Sequence, residues 1–361
     1  MKPSQDRSLF LPQPLSLEER APSLPPMALN SDGAPIPPAR ERPSGAPAGC
    51  VPALAHFRAA TLCFLIWILA LLPIAAAETA EVFPSPEAAV TALAAAVGTK
   101  DSARLRAIFG PGLADIKNPD RVQATNEFAH FAAALDATNR VVRESDTKCV
   151  LELGKELWPF PIPLIKSDNG WFFDTARGKE ELLNRRIGRN ELEALAVMRA
   201  YVDAQREYAS RDHTGDEVLE YARHLLSSPG TKDGLYWPPD LDGTLSPLGP
   251  LVAEAQGEGY NLTAGGRKLA PKPFHGYYFK ILSRQGKHAP GGKYNYIING
   301  HMIGGFAMVA WPARYGDSGI MTFIVNQQGR VYQKDLGPKT DQLAPAIKLY
   351  DPDSSWELSP N

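Results

Sequence analysis

Cysteine is scarce in this chain. The three present, Cys50, Cys63 and Cys149, include no pair at CxxC spacing, so they encode neither a zinc site nor a thioredoxin-like redox site. The seven histidines contain no HExxH and no paired spacing, so no catalytic metal is expected. A GxSxG, a GxGxxG following a strand and a Walker sequence are all missing, and no cofactor is expected. Charge of one sign is lacking too. With 38 basic against 40 acidic residues and a formal net charge of -2, there is no concentrated basic face to hold nucleic acid.

What is present is length and apolar content. The 361 residues are 44% apolar, enough for a sizeable core and about two domains. The first 57 residues are a proline-rich preface. Twelve of the 33 prolines lie before residue 56, in a stretch with few aromatics and no apolar periodicity. Such a composition cannot offset chain entropy by burial, so disorder is expected there. Residues 58–77 then read as an export segment. Arg58 precedes the run TLCFLIWILALLPI from Thr61 to Ile74, and Ala75-Ala76-Ala77 follows it. A basic flank, an apolar core and small residues form a signal-peptide pattern. The alternative is an uncleaved anchor, although the run is short against the roughly 20 residues of an unforced span. The expected address is periplasmic or extracellular, with membrane contact only through residues 59–77.

Two folded parts are expected after it, at 82–180 and 181–361, and the fold class is α+β. In the first, Ser85-Pro86-Glu87 is a helix start. Asp101 caps a second helix, and a third spans Asn126 to Thr138. Strands follow at Cys149–Leu153, Ile162–Lys166 and Trp171–Asp174, the last two joined by a Ser167-Asp168-Asn169-Gly170 turn. In the second part, one helix runs from Asn190 to Ser210. Val197, Tyr208, Tyr201, Ala194, Gln205, Met198, Val202 and Leu195 fall on one arc of it. Gln205 inside that arc reads as a core glutamine tying down a loop. An antiparallel meander follows, with strands at Gly276–Leu282, Tyr294–Ile298, Gly305–Trp311, Ile320–Asn326 and Arg330–Asp335. Asn299-Gly300 and Gln327-Gln328-Gly329 are its hairpin turns.

Few side chains suggest chemistry. Arg185, Arg186 and Arg189 form either a carboxylate or phosphate clamp or a salt-bridged junction. With Trp158, Tyr236 and Trp237 they are the candidate ligand-binding residues, as the lining of a cleft between the two parts that suits a sugar or carboxylate. Gly316-Asp317-Ser318-Gly319 spells a serine-protease tetrapeptide but lacks the histidine context, and reads as a turn. Asp351, Asp353 and Ser355 have a calcium-like spacing without the glycine or distal glutamate that would complete it. No catalytic residue is assigned.

Several longer strings carry a resemblance. WPFPIPL (Trp158 to Leu164), NRRIGRNEL (Asn184 to Leu192), YVDAQREYA (Tyr201 to Ala209), DGLYWP (Asp233 to Pro238), SPLGPLVAEA (Ser246 to Ala255) and TFIVNQQGRVYQKDLG (Thr322 to Gly337) resemble the bacterial secreted domain-of-unknown-function family 2950. The resemblance runs from Phe83 to Trp356 and implies no activity. The order Ala204, Gln205, Tyr208, then Gly276-Tyr277, then Ala310 and Pro312, then a hairpin from Thr322-Phe323 to Val331 is similar to type IV pilin-like globular heads. That similarity implies an extracytoplasmic interaction module with an envelope protein or surface polymer as partner. A glycan or small-molecule binding or hydrolysing protein is the alternative.

Overall fold

The structure is a computed structural model that describes residues 79–239, 243–261 and 272–360. The proline-rich preface, the apolar run at residues 59–77, Cys50 and Cys63 lie outside the described residues. Among the described residues, no helix is long and apolar enough to cross a membrane. The fold is α+β, with helices packed on antiparallel sheets.

The first three helices begin where their caps dictate. In α1 (Pro86–Gly98) the Ser85 hydroxyl accepts the Ala88 N–H at 3.1 Å, with proline at the first helical position. Asp101 caps α2 (Ser102–Phe109) by accepting the N–H groups of Ala103 and Arg104. Asp120 does the same for α3 (Arg121–Ala137) through Val122 and Gln123. The third helix thus starts five residues before the Asn126 expected from periodicity (126 − 121), because the capping aspartate sets the start.

These helices pack on a five-stranded antiparallel sheet. Its strands are β1 (Asn139–Ser145), β2 (Lys148–Leu153), β3 (Trp158–Pro159), β4 (Leu164–Ser167) and β5 (Gly170–Phe173). The order is β1-β2-β4-β5, with β3 also paired to β2. In β2, Cys149, Leu151 and Leu153 alternate into the core, as period-2 patterning requires. Burial pushes the Cys149 thiol pKa up, as expected of a small hydrophobe rather than a nucleophile.

The long helix α4 runs from Thr175 to Tyr208, not from Asn190. Asp174 caps it through the Arg177 N–H, so the stretch read as a junction linker is helical and residue 180 lies inside it. Gly178 makes the early start feasible, because a Cβ there would stand 2.7 Å from Cγ1 of Ile162. The whole expected arc of α4, Gln205 included, is buried.

A second five-stranded sheet holds β6 (Tyr277–Leu282), β11 (Ala307–Pro312), β12 (Met321–Asn326), β13 (Tyr332–Asp335) and β14 (Glu357–Leu358), in the order β14-β13-β12-β11-β6. Every residue of β11 is buried, since α4 and α6 (Thr340–Ala346) both pack on it. The run Tyr294–Ile298 is not one strand. It divides into β8 (Tyr294–Asn295), paired with β7 (Arg284–Gln285), and β9 (Ile297–Ile298), paired with β10 (His301–Met302). Tyr296 between them turns fully into the core. Between α4 and β6 lies α5 (Gly249–Gly257), which begins with Gly-Pro.

Candidate functional site

The six residues singled out by sequence do not line one cleft. Arg185 and Trp158 do meet: the guanidinium stands 5.0 Å from the indole centroid. It also donates to Glu181 at 2.6 Å and to the Pro159 carbonyl at 3.2 Å. Arg186 points elsewhere on the helix. It is buried, pairs with the Asp317 carboxylate, and donates to the Ile116 carbonyl at 2.6 Å. Arg189 pairs with Glu127 of α3. The three arginines thus reach three separate acidic partners. Arg186 bridges the segment after α2 to the turn between β11 and β12.

Tyr236 and Trp237 belong to the C-terminal core. Trp237 is 1% exposed. Its ring lies 6.4 Å from that of Tyr208 and 5.2 Å from that of His213, and its indole N–H donates to the Thr244 carbonyl at 3.0 Å. Tyr236 runs alongside Leu225 through its backbone N–H. A large ring with its one donor satisfied is driven into the interior, so Trp237 cannot present a face to a ligand. Ser318 of the protease-like tetrapeptide is buried. Its hydroxyl exchanges hydrogen bonds with the Arg314 backbone, so the tetrapeptide is a turn.

A polar network surrounds Asn190 on α4. Gln123 donates to Asn190 at 2.8 Å and to Nδ1 of His275 at 3.2 Å. Nδ1 therefore accepts, and Nε2–H faces Glu258 at 3.0 Å. Asn190 donates to the Ser318 carbonyl at 2.9 Å. Gly276 permits this approach: it sits at φ +72°, and a Cβ would come within 2.7 Å of the Asn190 amide. Burial lowers the His275 pKa. Burial raises that of Glu258, and the neighbouring Glu193, Glu254 and Asp120 add to the rise. Both ring nitrogens of His275 are already committed, so the network acts as a tie.

A different edge of the molecule offers open chemistry. The loop after α4 is shaped by Asp212, whose carboxylate accepts the N–H groups of Thr214, Gly215 and Glu217 at 2.8–2.9 Å. Those bonds lower its pKa to about 2. The loop then docks on β10. The Tyr221 N–H reaches the Met302 carbonyl at 2.8 Å, and the Met302 N–H reaches buried Glu220 at 3.0 Å. Nδ1 of His301 stands 3.6 Å from Oδ2 of Asp216 and 3.6 Å from Oε2 of Glu220. Leu219, Ile298 and Ile303, at positions neighbouring these groups in the loop and ribbon, are 57%, 45% and 44% exposed.

Sequence reasoning missed this edge. Asp216 and Glu220 stand four apart, and the Asn299-Gly300 turn announces a hairpin ending in His301. Only the fold joins the two.

The model of a family described as proteins of unknown function, DUF2950, matches residues 80–358. No curated protein and no solved structure matches the chain.

Proposed function

The chain belongs to the DUF2950 family of proteins of unknown function, and from that premise we propose that it is an exported, non-enzymatic interaction module. Its contact surface is the ribbon formed by β9 and β10 with the loop at residues 211–220. The observation that carries this reading is the outward placement of Leu219, Ile298 and Ile303, all more than two-fifths exposed, beside Asp212, Asp216 and Glu217, which are exposed carboxylates. Apolar groups displayed among mostly acidic side chains mark a recognition surface. The occupant that fits is an envelope protein presenting apolar and basic side chains.

The export half of the proposal rests on the apolar run from Thr61 to Ile74 and its Ala75-Ala76-Ala77 sequel. The order of elements also supports a pilin-like head: a long helix, α4, lies on the antiparallel strands β11 and β12. That support is at the level of fold alone.

Site-specific crosslinking in the intact envelope tests the reading. A photoreactive residue at Ile298 should give one discrete adduct whose contact peptide is apolar and basic. The adduct should vanish when Leu219 and Ile303 are both changed to Asp. A photoreactive residue at Leu358, exposed on the edge strand β14, is the control. Equal adducts at both positions, or none at Ile298, would sink the proposed surface. Recovery of the full-length chain in the cytosol with residues 1–77 intact would sink the export.

A further inference from the structure

The gap between Asp216, Glu220 and His301 has the dimensions and donor chemistry of a metal site, independently of the docking reading. One ligand atom from each residue lies within 4.8 Å of the others. The two imidazole-to-carboxylate distances of 3.6 Å exceed the hydrogen-bond range of about 2.7–3.2 Å. They match two donors sharing one ion instead. At metal–ligand distances of about 2.1 Å, tetrahedral geometry sets ligand atoms about 3.4 Å apart.

The histidine nitrogen supplies a second, separate observation. Nδ1 of His301 is enclosed and has no hydrogen-bond partner among the described residues, although buried nitrogens are almost always paired. The atom is aimed at two carboxylate oxygens and bonded to neither. Glu220 is oriented by the Met302 N–H, and His301 is fixed opposite Ile298 in the ribbon register. Held ligands of this kind are what metal sites need.

We propose that Asp216, Glu220 and His301 form a site for a first-row divalent cation such as zinc. Zinc accepts both donor types here, one borderline imidazole nitrogen and two hard carboxylate oxygens. Calcium prefers six to eight oxygens, and three donors including an imidazole serve it poorly. Three protein ligands leave a fourth position open, and Asp216 is exposed, so that position faces solvent. The ion would clip the 211–220 loop to β10 beside the existing backbone bonds. The competing occupant of the gap is a proton on Nδ1, which would make His301 a plain ion-pair partner.

Isothermal titration of the chelator-stripped full chain with zinc chloride decides between them. One saturable zinc per chain is expected, accompanied by a higher melting temperature. Millimolar calcium should not displace it. Asp216→Asn, Glu220→Gln and His301→Gln should each weaken zinc binding at least tenfold. Glu220→Gln keeps an acceptor for the Met302 N–H, and metal-free melting of each variant within about 2 °C of the parent confirms an intact fold. His130→Gln, on the exposed side of α3, should leave affinity unchanged. X-ray absorption should show nitrogen and oxygen neighbours without sulfur. No saturable zinc, unchanged affinity in the Asp216→Asn/His301→Gln double variant, or sulfur in the zinc shell would overturn the proposal.

Discussion

Of the three hydrophobic clusters among the described residues, the two larger ones are built from different materials. The N-terminal core, between Phe83 and Phe173, is hydrocarbon almost throughout. Phe109, Phe131, Phe160 and Phe173 pack in one run with centroids 5.2–6.2 Å apart, alongside Leu93, Ile108, Leu151 and Leu153. The C-terminal core, between Ala194 and Tyr350, instead buries Tyr201, Tyr277, Tyr296 and Tyr350 completely. Three of their hydroxyls find acceptors: Tyr201 at the Ala307 carbonyl, Tyr277 at the Met321 carbonyl and Tyr296 at Gln285. Gln205 adds a reciprocal pair, accepting from the Ala222 N–H and donating to its carbonyl, both at 2.8 Å. The first core demands only shape and volume. The second also pairs most of its buried polar atoms, so it tolerates fewer isosteric changes at those positions.

The largest expected effect tests the hydrocarbon side. Phe173→Ala should lower unfolding free energy by about 3–5 kcal/mol, measured by denaturant titration of the full chain. Phe173→Leu should recover most of that loss if volume alone matters there. Next comes the polar side. Gln205→Leu keeps the volume yet strands two buried backbone groups, at about 1–1.5 kcal/mol each. If this variant proved as stable as the parent, the distinction between the cores would fail.

A smaller pair sharpens it. Tyr277→Phe leaves the Met321 carbonyl without its donor and should cost about 1 kcal/mol. Tyr350→Phe should be neutral or stabilising, because the Tyr350 hydroxyl is buried with no hydrogen-bond partner among the described residues. Equal losses in thermal melts of the two variants would contradict this contrast.

The smallest effect concerns the tie between the cores. The Glu258 pKa is raised by burial and nearby carboxylates. The folded state therefore favours its protonated form, and that contribution is complete below the ordinary value of 4.5 and lost as pH rises through the folded value. Glu258→Gln should melt higher than the parent at pH 7, with the gap closing below pH 4.5. Gln at 258 still accepts from His275. The His275 pKa is lowered by burial, so its contribution is complete above 6.5 and fades as pH falls through the folded value. That acid-side loss should persist in the variant and disappear in His275→Gln.

Local signals in the sequence were legible wherever one short segment contained its own cause. Ser85 and Asp101 cap the helices they were expected to cap, and the apolar arc of α4 is buried with Gln205 tying down Ala222. Asn299 at φ 50° and Gly300 at φ 90° form the turn between β9 and β10, which is the left-handed pair an Asn-Gly hairpin requires. Strand β1 was invisible because it is an exposed strand with no apolar alternation. Helix α5 was hidden by the glycines and prolines around it. The arginines were legible as a charged group, but the destinations of Arg186 and Arg189 were not. The partners Ile116, Glu127 and Asp317 lie far along the chain, and no spacing rule connects them. The His301 site was hidden for the same reason.

The helix α4 has a consequence for how this protein can be taken apart. Its 34 residues span about 51 Å at 1.5 Å per residue. Its first turns seal the Phe109 carbonyl through Thr175, while its last ones wall the tyrosine-rich interior. A gene fragment ending anywhere between 175 and 208 would amputate a rod whose two ends serve different neighbours. Neither half can then be swapped, borrowed or expressed as a spare part without carrying the shaft along, and any lineage that shuffles this fold must hand it on whole.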